Sequence, residues 1–334
     1  MKIGKLPEQV LIRSVLKQIQ HRREEVLVGP SVGLDCAAFT VAEDEAVVMS
    51  TDPITGTAKD LGHHCIHITA NDLAASGAEP LGVMLTVLLP EDVEEEEVRK
   101  LMADAEAACA DLNMEILGGH TEITDVVQTI LVTVTGVGKI KKDHLLTHMQ
   151  AKPGQDIVVT KWIGLEGTSI LAKEREEELL KRFAPAFVNT AREFDQYLSV
   201  VGEGKIAAQL GVSAMHDITE GGVFGALWEI ASAGNVGLDI DLKAIPIRQE
   251  TVEVCEYFHA NPYQMMSSGS MMIATDDGNT LIQALKDAGI HASIVGRTIA
   301  GNDRILRNGA EVRYLDRPQP DELYKALKSK VGMQ

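Results

Sequence analysis

The stretch that decides the fold runs from His67 to Pro90, HITANDLAASGAEPLGVMLTVLLP. Its second half, "LGVMLTVLLP", is a nearly unbroken apolar run closed by Pro90 and reads as a buried strand. The residues before it predict a helix over Leu61 to Ser76, with Cys65, Ile68 and Leu73 inward and Gly77 as its stop. Asn71 and Asp72 then sit in the later turns of that helix, an amide and a carboxylate inside an apolar stretch.

Upstream, Val10, Leu11, Val15, Leu16 and Ile19 recur at helical spacing, which predicts an amphipathic helix over Pro7 to Gln20. "DCAAF" and "EAVVMSTD" read as short strands, each with an aspartate at one end, Asp35 and Asp52. Downstream, Asp92 to Leu112 reads as a helix with Val98, Leu101, Ala105, Ala108, Cys109 and Leu112 on one face. Glu94 to Glu97 form its solvated first turn, where acid suits the helix dipole and no function is needed. "MEILGGHTEI" is expected as a strand running into a Gly-Gly turn, and "VQTILVTVTGVGKI" as a long strand.

Lys152, Pro153 and Gly154 mark a turn before the next strand, so the domain boundary is placed near Met149 to Lys152, giving domains 1–149 and 150–334. The second half again alternates: "DIVVT", a charged helix from Lys173 to Arg182, and "SAMHDITEGGVFGALWEIASAGN". In that last segment Val223, Leu227, Ile230 and Ala231 line a helix ending near Gly234. The expected fold class is α+β in two domains, as the length of 334 residues also favours.

A formal net charge of −18 argues against nucleic acid or an anionic membrane surface as partner, because either needs a basic patch. No terminal segment reads as a signal peptide, and no apolar run reaches the ~20 residues of a membrane helix. A cytoplasmic protein is expected. Cys36, Cys65, Cys109 and Cys255 are scattered, without a CxxC pair, as in a reducing compartment.

Asp35, Asp52, Asp72, Glu122 and Asp217 share one context, a strand end or a glycine turn. Singly each reads as a cap or turn residue; convergence of several would make a magnesium–nucleotide site, since Mg²⁺ takes a few carboxylates plus substrate phosphates. Gly29 and Gly33, Gly118 and Gly119, and Gly221 and Gly222 are turn glycines whose bare N–H groups could also approach phosphate. Neither a GxxxxGK[ST] loop nor a GxGxxG after a strand is present. His63, His64, Cys65 and His67 are zinc-ligand types, but further ligands at useful spacing are missing, and they read as packing or wall residues.

The segments "IGKLPEQVL", "VGPSVGLDCAAF", "STDPITG", "ANDLAASGAEPLGVMLTVLLP", "GGHTEI", "VTVTGVG", "AKPGQDIVVT" and "HDITEGGVFGALWEIA" occur in the order found in the AIR synthase (PurM-like) superfamily. The chain most resembles the HypE-like branch, the hydrogenase maturation factors and AIR-synthase-related proteins. The resemblance implies an N-terminal α+β domain whose strands join a second subunit's in a dimer barrel, covered by a C-terminal α/β sandwich domain, with ATP between domains. It implies Mg²⁺ and ATP as cofactors, a homodimer, and phosphorylation of an oxygen on a small, carbamoyl-type or protein-bound substrate.

Residue by residue, the resemblance implies metal or phosphate aspartates at Asp35 and Asp52, Mg²⁺–ATP contact at Asn71 and Asp72, and a second metal or substrate contact at Asp217. Gly33, Lys59, Gly119, Thr121 and Glu122 complete the implied nucleotide contacts, and Asp72, His120 and Asp217 the implied catalytic set. His120 stands where relatives place an acid; it either weakens the metal site or serves as a general acid or base. HypE proper has a tail with a terminal cysteine, whereas this sequence reads "KSKVGMQ", with Cys255 as its last cysteine. Alternatives are a small-molecule kinase similar to thiamine-monophosphate kinase, although "GLDCAA" has one aspartate where those kinases have two, and a non-catalytic ATP-binding interaction module.

Overall fold

Gly77 ends the Leu61–Ala75 helix with a φ of 80° and turns the chain into the following strand. The computed structural model describes residues 3–32, 34, 36–54, 60–146 and 150–329, and the chain divides into two units. One unit runs to Leu145 apart from Ala75–Gly77; the other comprises that turn and the chain from Leu146.

The first unit contains β1 (Gly4–Lys5), β2 (Val26–Val28), β3 (Ala38–Phe39), β4 (Glu45–Ile54), β5 (Glu79–Leu89), β6 (Glu115–Ile123) and β7 (Leu131–Lys141). Five of them form a sheet in the order β1-β6-β5-β7-β4, while β2 and β3 pair separately. β5 and β6 are parallel and joined through the Glu95–Asp111 helix, since a parallel pair needs a long crossover. Val83, Leu85, Val87 and Leu89 of β5 are buried and Thr86 is exposed, so one face of the sheet is covered and the other open.

The Leu61–Ala75 helix covers the first of these faces. A Cβ at Gly136 of β7 would stand 2.4 Å from the Thr69 methyl, and one at Gly62 would stand 2.3 Å from the Leu101 carbonyl of the Glu95–Asp111 helix. Glycine at these two positions is what lets helix meet sheet and helix meet helix. Cys65 and Leu73 are inward as expected, but so are Ile66 and Ala70, and Ile68 is only half-buried. Ile68 and Asp72, one turn apart, mark the more open side of a helix that is otherwise enclosed.

Several expectations need correction. The dimer barrel implied by the resemblance is not what the chain forms: the first unit's sheet is open, with β1 and β4 as edges, and no sheet among the described residues closes on itself. Gly118 and Gly119 lie inside β6 rather than in a turn. The Pro7–Gln20 segment is one α turn (Glu8–Val10), one wide π turn (Leu11–Val15) and one 3₁₀ turn (Leu16–Gln18).

The cause of that irregularity is lateral. Glu95 accepts from Arg13 and from the Ser14 hydroxyl (2.7 Å), and Glu106 accepts from the backbone N–H groups of His21 and Gln20, the latter at 2.7 Å. The segment follows the Glu95–Asp111 helix instead of its own period. Glu95 is therefore a tether and not merely a solvated charge.

The second unit contains β8 (Asp156–Thr160), β9 (Ala214–Ile218), β10 (Gly237–Asp241), β11 (Ser270–Thr275), β12 (Ala292–Ile299), β13 (Arg304–Asn308) and β14 (Glu311–Tyr314). They form one sheet in the order β14-β13-β10-β12-β8-β11-β9, with β10–β13 parallel and the other pairs antiparallel. Val223, Leu227, Ile230 and Ala231 of the Gly222–Gly234 helix pack with Ile157, Val159, Leu238, Ile240 and Met272 of the sheet. A second cluster joins the Leu165–Glu174, Pro185–Arg192, Gln249–Tyr257 and Glu322–Lys328 helices.

The charged helix expected over Lys173–Arg182 is divided at Arg175, which caps a helix over Leu165–Glu174 and precedes a short one over Glu176–Leu179. Arg175 Nη1 donates to the carbonyls of Ala326 (3.2 Å) and Leu327 (3.0 Å), closing the end of the Glu322–Lys328 helix. No helix among the described residues is long and apolar enough to cross a membrane.

Candidate functional site

In a strand, residues i and i+2 share a face, so Ser50 and Asp52 of β4 project to the same side. They pair with Gly136 and Val134 of β7, which places both on the helix-covered face. There the Ser50 hydroxyl donates to Asp72 Oδ2 and lies 3.4 Å from Asp52 Oδ2. One serine thus links a strand aspartate to a helix aspartate 20 residues later, and both are half-buried.

Two carboxylates and a hydroxyl are hard oxygen donors that fit Mg²⁺, which takes one or two protein carboxylates and completes its shell with water and phosphate oxygens. Asn71, next to Asp72, is fully buried and faces the core. Thr121 of β6 pairs with Val87 of β5 and shares the helix-covered face.

His120 and Glu122 do not join this group. They pair with Thr86 and Leu88 of β5 on the open face, where His120 Nε2 lies 3.1 Å from Glu122 Oε2. The sheet itself stands between them and the Ser50–Asp52–Asp72 set. Gly119, expected at a phosphate, serves the sheet: a Cβ there would stand 1.9 Å from the Leu85 carbonyl oxygen. Gly33, Asp35 and Lys59 lie outside the described residues.

Asp217 belongs to the second unit, at the end of β9, and is buried. Sequence reading missed its neighbours, Glu166 and Asp321. Burial pushes the Glu166 carboxyl up to about 7, against partial relief from Ser268, and the charges of Asp321 and Asp217 add to the rise. Glu166 Oε2 is enclosed without a hydrogen bond. Asp321 accepts from the N–H groups of Gly221 (2.7 Å), Met266 (3.2 Å) and Leu323 (2.8 Å); burial raises its pKa and these bonds oppose the rise. The only available signal was indirect: Glu166 follows a Gly164 turn after a strand, as many structural acids do.

Among the described residues no group of three or more His, Cys, Asp or Glu is placed to hold a metal ion. His63 and His67 pack ring against ring at 4.2 Å in the helix. Cys65, Cys109 and Cys255 are buried, and burial pushes the Cys65 and Cys255 thiols up to about 12, far from the thiolate a nucleophile needs; Cys36 is exposed.

Comparison with known proteins gives a consistent result. Two family profiles match, the AIR synthase related protein N-terminal domain over residues 33–140 and the corresponding C-terminal domain over 152–307. A putative hydrogenase expression/formation protein of Methanocaldococcus jannaschii is 26% identical over 306 residues, 88% of each chain. The carbamoyl dehydratase HypE of Cupriavidus necator is 27% identical over 263 residues, 76% of this chain and 73% of that one. A crystal structure of the hydrogenase maturation protein HypE in complex with ATP superposes with a TM-score of 0.81 at 18% identity, covering 97% of both chains, a likeness of fold.

Proposed function

The chain belongs to the AIR-synthase-related, PurM-like proteins of HypE type, and from that premise we propose that it is a Mg²⁺–ATP-dependent enzyme phosphorylating an oxygen of a small or carbamoyl-type substrate. The observation that supports this reading is the meeting of Asp52 and Asp72 at Ser50 on one face of the first unit's sheet. Magnesium held there by the two carboxylates would neutralise phosphate charge, the main requirement of phosphoryl transfer besides positioning.

The chain's own residues supply the positioning. Ser50 orients both acids, and the contact between Thr69 and Gly136 fixes the helix turn that carries Asp72. In the proposed reaction the substrate oxygen forms a bond to the γ-phosphorus of ATP while the bond to the β,γ-bridging oxygen breaks and ADP departs. In a carbamoyl substrate the carbon–oxygen bond then breaks, the oxygen leaves with the phosphate, and the amide nitrogen gives up its two protons to the phosphate and solvent as the carbon–nitrogen bond becomes a nitrile. The reading includes a homodimer, in which a second copy would cover Val47 and Met49, exposed by 42% and 63% on edge strand β4.

The test is a calorimetric titration of the purified protein with a non-hydrolysable ATP analogue, with Mg²⁺ and with EDTA. Binding that depends on Mg²⁺ is expected. Absence of binding in both conditions would overturn the nucleotide reading.

A further inference from the structure

Two adjoining cavities of about 90 and 230 Å³ open on the second unit, and both are lined by Leu306 and Arg313. Arg313 pairs across the sheet with Leu306 and so shares that residue's face, on the exposed edge strand β14. Arg307 of β13, one residue along from Leu306 and on the opposite face of the sheet, is bonded to Asp239 at 2.6 and 2.7 Å. Arg313 has no such acid, and neither do Arg317 or Lys243, which also line the cavities. None of the three makes an ion pair among the described residues, in a chain with 49 acidic and only 31 basic residues.

The cavity walls add a second chemistry. Phe224 and Tyr263 stack at 5.1 Å with an interplanar angle of 8°, and the Arg313 guanidinium lies over the Phe224 ring at 5.8 Å. Asn261, Gln264 and Asn308 supply amide groups, and Glu311 and Asp316 supply carboxylates at the exposed margin.

We propose that this double cavity is a binding site for a small sugar phosphate, separate from the Asp52–Asp72 site. A phosphate dianion meets the Arg313 and Arg317 guanidinium groups, whose planar forks suit phosphate oxygens. Glu311, Asp316 and the amides accept or donate to sugar hydroxyls, which explains why acids line a cationic pocket. The aromatic pair gives the apolar face of the sugar ring a surface to lie on.

A charge on an edge strand also discourages strand pairing between molecules. Titration separates that role from ligand binding. Ribose 5-phosphate is titrated calorimetrically into the full chain in EDTA, with ribose, inorganic phosphate and sodium chloride of matched ionic strength as comparisons. The expected result is saturable binding of ribose 5-phosphate, weaker binding of phosphate and none of ribose.

Arg313→Ala should weaken that binding at least tenfold. Lys286→Ala, which removes a cation on the Gly278–Asp287 helix, should leave it unchanged. Should Arg313→Ala melt with the loss of the fold, Arg317→Ala and Arg313→Lys carry the same expectation. No saturable binding to the wild type, or equal affinity in the arginine variants, overturns the site. Asp72→Asn should retain ribose 5-phosphate binding, so failure of the nucleotide reading and failure of this one are distinguishable.

Discussion

The two units each gather carboxylates, and they do so in opposite ways. In the first, Asp52 and Asp72 are half-buried and share the hydroxyl of Ser50. In the second, Glu166, Asp217 and Asp321 are all buried, and burial raises Glu166 to about 7. A half-open pair leaves room for a cation with its water shell, whereas burial of Glu166 favours its neutral, protonated form. Motif position alone ranked Asp217 beside Asp72, and burial is what separates them.

The largest effect expected from this contrast is on nucleotide binding. Asp72→Asn should weaken binding of the ATP analogue in Mg²⁺ about 100-fold, close to 3 kcal/mol, with little change in EDTA. Equal affinities for variant and wild type in Mg²⁺ would break the distinction between the two groups of acids.

The second unit's acids should instead report in stability against pH. The folded Glu166 pKa is raised from 4.5 to about 7, so the folded state holds the proton more tightly than the unfolded chain. The stability associated with that proton is whole below pH 4.5 and is lost as pH rises through 7, by about 3 kcal/mol. Urea unfolding at pH 5 and pH 8 should show this fall in the wild type and a flatter dependence in Glu166→Gln. The same slope in both would remove Glu166 from the account.

Asp321→Ala deletes the acceptor for three backbone N–H groups and the cap of the Glu322–Lys328 helix, and should cost roughly 2 kcal/mol of stability. Loss of nucleotide binding at unchanged stability would contradict a structural role. The smallest effect is expected at His120, on the other face of the sheet from Asp72. His120→Ala should change affinity for the Mg²⁺–analogue complex less than twofold, and a tenfold loss would place the imidazole in the site after all.

The helices and strands with one buried side were legible in sequence. The Leu61–Ala75 helix, β5, the Glu95–Asp111 helix and the Gly222–Gly234 helix lie within a few residues of the expected ranges, because their apolar periods and glycine stops act locally. The Pro7–Gln20 segment escaped because Glu95 and Glu106, far along the chain, dictate its path. Gly118 and Gly119 misled because glycine marks a turn and a close strand approach with the same letter.

Of the candidate acids, Asp52, Asp72 and Asp217 stand out by motif, yet Ser50 does not, although it sits two residues before Asp52 in the same quoted "STD". Hydroxyl residues are too common in strands for sequence to single one out. The sequence by itself determined the alternation of helices and strands, the family, and a short roster of candidate acids. Tertiary structure decided which acids meet, which face of the sheet each occupies and which are sealed from water. Period and spacing are properties of neighbouring residues, whereas register and burial are set by the pairing of strands that lie far apart in the chain.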